Sequence, residues 1–124
     1  MNSKHMLWVS YIMSTLPVLM LLFSGIMKLI KPPSVMEGFA HLGYDESVAL
    51  GLGVVELLAT LLYIIPRTSV LGAILLTGYL GGATATHLRI GEPFQMAILL
   101  GVFVWGGLYL RDERLRLLIP LRTS

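Results

Sequence analysis

The chain has 124 residues, of which 56% are hydrophobic and only 13% charged. An ordinary water-soluble domain is about 25% charged, so the composition excludes that class. Mean hydropathy is +0.81, and the formal charge of +2 calls for no nucleic-acid partner, because the basic residues sort by membrane side rather than into a patch. Cysteine is absent, which removes disulfides, thiol nucleophiles and C-x-x-C relays.

Four apolar runs, 7–27, 47–65, 68–86 and 94–110, hold every long hydrophobic stretch, and apart from Lys28 and Glu56 the charges fall between or beyond them. The pattern predicts an all-α fold: a bundle of four transmembrane helices with the N and C termini on the same side. A single integral-membrane domain is expected over 1–124, with helices at about 6–30, 47–65, 68–88 and 94–110 and a basic tail at 111–124. The first run is too long for the apolar core of a signal peptide, and no small-residue cleavage pattern follows it, so retention is expected.

Lys31-Pro32-Pro33 ends the first helix, since proline forbids continuation and restricts the residue before it. Pro17 is a candidate kink. The loop that follows carries His41, expected as a solvated side chain, and has room for a short interfacial helix over 35–42. Gly51 and Gly53 in the second helix call for close backbone approach. Pro66-Arg67 leaves a turn of two or three residues, so the second and third helices must be antiparallel neighbours.

The stretch TSVLGAILLTGYLGGATATHLR, Thr68 to Arg89, organises the rest. From Thr68 to His87 it covers roughly 29 Å, about the hydrocarbon thickness. Small residues recur as Ala73, Thr77, Gly81 and Ala85, with Gly78-x-x-x-Gly82 alongside, which marks close helix contacts and a candidate homodimer face. The fourth helix holds Trp105, Gly106 and Gly107, and the tail opens with RDERLRLLIP, a basic amphipathic segment suited to headgroups. Lys4, Arg67, Arg111, Arg114, Arg116 and Arg122 share one side; Lys28, Lys31 and Arg89 share the other. That asymmetry puts both termini in the cytoplasm of a bacterium, with the chain in its plasma (inner) membrane.

Glu56 is the sharpest anomaly. It lies roughly 14 Å from the outer surface, where a carboxylate costs on the order of 2.5–3.5 kcal/mol, so it must be protonated, paired or beside water. Counting along the helices puts Lys28 and His87 some ~12–14 Å above it, near the outer surface. The expected site is therefore a vestibule opening outward. Lys28, His87 and Arg89 form its rim, Ser24 and Thr84 its wall and Glu56 its floor. Thr60, Tyr63, Thr77 and Trp105 lie at or just below the floor as hydrogen-bond donors. His87 titrates near neutrality and suits a proton relay. No metal is expected, since the three histidines sit on unrelated segments without ligand spacing. No nucleophile, phosphate-binding or dinucleotide motif is present, which argues against an independent enzyme and leaves the catalytic residues unknown.

The pieces SGIMKL (24–29), LGY (42–44), Glu56 with LYIIPRT (62–68), LGAILLTGYLGGA (71–83), ATHLR (85–89), WGGL (105–108) and Arg111-Asp112 together resemble the DoxX-like family of small four-helix membrane proteins. The resemblance implies a polar glutamate–histidine site. It also implies a setting in redox or quinone metabolism, the family's name coming from a subunit associated with thiosulfate:quinone oxidoreduction. The function expected is thus the binding of a small or quinone-like ligand, without a tightly held cofactor, as an accessory to a membrane redox enzyme. The alternative is a proton-coupled carrier or channel for a small solute, acting as a homodimer; a second alternative is a structural or assembly factor.

Overall fold

The computed structural model describes residues 3–123; Ser124, the last residue of the expected tail, lies outside them. The chain forms α1 (Ser3–Ile30), α2 (Pro33–His41), α3 (Ser47–Ile64), α4 (Ser69–Arg89), α5 (Gln95–Arg111) and α6 (Glu113–Arg116), with a 3-10 turn at Pro66–Thr68. The segments 4–30, 47–64 and 66–89 are long and apolar enough to cross a membrane. α5 is an apolar helix of 17 residues, about 26 Å long and at the lower limit for a span. Around the bundle, α1 packs on α3 and on α5, α3 packs on α4, and α4 packs on α5. The result is a closed ring of four helices with their apolar outer faces left for lipid. One end carries the 3-10 turn and both termini (the turn end); the other carries α2.

α1 runs through Pro17 without a break. It stops at Lys31, which adopts φ 60°, the left-handed position that commonly ends a helix; the two prolines that follow forbid its continuation. The loop helix does form, and α2 turns its Phe39 inward, 7% exposed. The tail is less regular than its amphipathic pattern suggests. Only Glu113–Arg116 is helical, capped by the Asp112 side chain on the Arg114 backbone N–H at 3.0 Å.

The core fills the turn half of the bundle. Leu21, Ala59, Tyr63, Ala73, Leu76, Leu80, Val104 and Leu108 form one buried cluster. Close backbone approach fixes where this half is tight. A Cβ on Gly72 would stand 2.2 Å from the Tyr63 backbone nitrogen across the α3–α4 hairpin, and one on Gly107 would stand 2.9 Å from the Ser10 carbonyl of α1. On the α2 side, α1 and α3 also come close: a Cβ on Gly53 would lie 3.1 Å from the Gly25 carbonyl. Gly51, expected to do the same, has open space over it.

Candidate functional site

Above the core, the α2 half of the ring encloses a cavity of about 780 Å³. Most of its lining is apolar, and the polar side chains that reach it include Ser24, Lys28, Glu56, Tyr79 and His87. Glu56 lies near the middle of α3 and is 1% exposed. Lys28 Nζ donates to its Oε1 at 2.8 Å, and Tyr79 OH donates to the same oxygen at 2.8 Å. Lys28 also donates to Ser24 Oγ at 2.6 Å, and Ser24 reaches Oε1 at 3.4 Å. The ammonium lies 5.7 Å from the centre of the Tyr79 ring, within cation–π range.

This placement corrects the depth assigned to Lys28. Counting from helix ends assumes that α1 and α3 end in one plane. They do not, because Gly53 rather than Ser47 is level with the last turn of α1: a Cβ there would sit 3.0 Å from Lys28 Cβ. Side chains also tilt toward the N-terminus of their own helix. In antiparallel α1 and α3 that tilt carries Lys28 and Glu56 toward each other, and the remaining gap closes.

Tyr79 was the residue sequence reasoning missed. The signal was present in the hairpin. Glu56 precedes Arg67 by eleven positions and Tyr79 follows it by twelve, so an antiparallel pair folded at that turn sets them opposite one another. A hydroxyl at mid-span also demands a partner.

The remaining expected residues divide. His87 reaches the cavity and its Nδ1 donates to the Ala83 carbonyl at 2.8 Å, which leaves Nε2 for another partner. Thr84 spends its hydroxyl on the Leu80 carbonyl, and Thr60 donates to the Glu56 carbonyl. Trp105 Nε1 donates to Thr77 Oγ1 at 2.6 Å, tying α5 to α4 outside the cavity. Tyr63 belongs to a separate knot at the turn end. Its hydroxyl lies 2.7 Å from Ser14 Oγ and donates to the Val104 carbonyl at 2.6 Å, while Arg111 Nη1 donates to Ser14 Oγ at 2.7 Å. Arg89 does not enter the cavity either: it donates to the Leu42 carbonyl at 2.5 Å.

The open vestibule is also corrected, because α2 roofs it. Val35, Gly38 and Phe39 of α2 line the cavity from above. The end of α2 and the segment after it are fastened to α4 and the α4–α5 loop. Tyr44 OH meets Thr86 Oγ1 at 2.8 Å, Arg89 holds Leu42, and His41 Nε2 meets Glu92 Oε1 at 2.6 Å. His41 is therefore paired rather than merely solvated. Among the described residues no cluster of three His, Asp or Glu side chains comes together.

The model of the DoxX-like family matches residues 12–107, most of the chain. The chain belongs to the DoxX-like family. Neither a curated protein nor a solved structure matches it. This DoxX-like chain is thus a multi-pass membrane protein, and the matched span contains Ser24, Lys28, Glu56, Tyr79 and His87.

Proposed function

We propose that the cavity binds a small amphiphilic molecule of the quinone or quinol type, and that the protein serves membrane redox metabolism as a ligand-binding accessory. The observation that carries this reading is the polar group Lys28–Glu56–Tyr79 set into one wall of an otherwise apolar chamber of about 780 Å³. Small-molecule sites have this character: a few convergent polar atoms in apolar walls, at roughly 300–1,000 Å³. Lysine carries three N–H donors, and Ser24 and Glu56 take two. All three bonds to the Glu56 carboxylate fall on Oε1, which leaves Oε2 to accept. A ring hydroxyl can accept from Lys28 and donate to Oε2 at once; a ring carbonyl can use Lys28 alone. His87, about 12 Å farther along α4, offers Nε2 near the roof for proton exchange. The family's association with quinone-linked redox systems points the same way. The excess of basic residues at the turn end supports a reading with both termini in the cytoplasm of a bacterial cell.

Proton-coupled carriage ranks second, because Lys28 already neutralises the carboxylate such a carrier would load and unload. The test is direct binding. Trp105 lies outside the cavity, so its fluorescence is a poor reporter. Protein in lipid nanodiscs, titrated with decyl-benzoquinol kept reduced, should bind one molecule per chain, and Lys28→Met should weaken binding at least tenfold, about 1.4 kcal/mol. No saturable binding to the wild type, or equal binding by the variant, would overturn the reading.

A further inference from the structure

The chamber is roofed at its α2 end and bordered along its side by residues exposed on the apolar surface of the bundle. Its α2 end is roofed by Val35, Gly38 and Phe39 and held down by the Tyr44–Thr86 and Arg89–Leu42 bonds. Its flank between α3 and α4 is not covered. Val55 of α3 and Gly78 and Gly82 of α4 line the cavity, yet Val55 is 51% exposed and both glycines are exposed on the molecular surface. A Cβ added to either glycine would meet nothing within 4 Å. The same two helices touch tightly at Gly72, so the hairpin parts as it leaves its turn, and it parts beside Tyr79. Gly78 lies about 14 Å along α4, at hydrocarbon depth rather than among headgroups.

We infer that the ligand is a lipid-dissolved, long-tailed amphiphile that enters sideways between α3 and α4, its head on Lys28 and Glu56 and its tail lying over Gly78 and Gly82 into the bilayer. This rests on the binding reading above and adds the route and the tail. Glu56 points to a ligand rather than to a neighbouring helix. It is 1% exposed and lines the same space, with Oε2 bonded to no described side chain. An apolar helix face seated on the glycines would leave that oxygen unmet, whereas a hydroxyl head would satisfy it.

The test compares two probes on one variant. Gly82→Leu fills the gap where the backbone leaves room, and circular dichroism and size-exclusion chromatography check that it folds as the wild type does; Gly82→Ala is the control. Decyl-benzoquinol should bind Gly82→Leu at least tenfold more weakly than wild type, while the tail-less ring should bind both within about twofold. Equal binding of the tailed probe would overturn the side entrance and leave the binding site standing. Failure of both probes to bind the wild type would instead remove the site itself. A ligand-independent arm uses the absence of native cysteine. A bimane on Gly82→Cys should be quenched by lipid carrying a mid-chain nitroxide and not by aqueous iodide. Quenching by iodide, or shielding from both quenchers by a second copy of the chain, would overturn the proposal.

Discussion

Glu56 and Lys28 meet at a depth where neither tolerates isolation. An ion pair out of water is stabilising only when its spare lone pairs and protons are also bonded; Tyr79 and Ser24 supply part of those bonds, and Oε2 with the third lysine N–H is left for a ligand. Removing one member strands the other. Lys28→Met or Glu56→Gln should each lower stability by about 3–5 kcal/mol, and the double variant should cost far less than the sum, as read by thermal denaturation in bicelles. Tyr79→Phe should cost roughly 1.5–3 kcal/mol, the range for a hydrogen bond to a charged group. At this scale the sequence was half legible. A lone acid in an apolar run announces itself, and so does a lysine at a helix end. Their contact was hidden because a count along each helix carries no information about how far one helix slides past its neighbour.

Helix pairing explains which small residues matter. Gly72 and Gly82 look alike in a pattern of small residues, yet one lies against Tyr63 backbone and the other faces open space. Gly72→Ala should therefore destabilise the hairpin by about 1–3 kcal/mol through overpacking. Gly82→Ala should be neutral or stabilising by roughly 0.5–1 kcal/mol, since alanine is the better helix former. Unfolding midpoints of the two variants in the same detergent decide between them. The short α6 makes a pH prediction. Its Asp112 cap is pushed up somewhat by burial, but the Arg114 side chain and backbone N–H, with Arg116 nearby, hold its carboxyl below the usual range. A lowered folded-state value means that the cap's contribution is complete above the ordinary carboxylate value of about 3.9 and is lost as pH falls through the lower one. Protection of the Arg114 amide, taken relative to the intrinsic exchange rate at each pH, should fall only in that acid window, and Asp112→Asn should abolish that fall. The spans, the hairpin and the loop helix could be read from hydropathy and proline placement. The roof could not, because a nine-residue amphipathic segment does not say which surface it covers.

As a whole the molecule is a ring cinched at one end and parted at the other. The turn half is filled by the Leu76–Val104 core and the Ser14–Tyr63–Arg111 knot. The α2 half keeps its space and covers it from the aqueous side. Tyr63 and Trp105, expected at or just below the floor as hydrogen-bond donors, do donate there, but to the Val104 carbonyl and Thr77 rather than into the cavity: polar aromatics on apolar helices serve interhelical bonds as readily as ligands. The account depends on the lysine being held inward rather than stretched to the headgroups, and one measurement addresses that directly. Solid-state NMR on protein in a lipid bilayer, with Lys28 labelled at Nζ and Glu56 at its carboxyl carbon, reads their dipolar coupling with and without decyl-benzoquinol. The account predicts a contact shorter than about 4 Å and a shift of both signals when the quinol binds. A lysine signal with no coupling to Glu56, unchanged by the ligand, would contradict it.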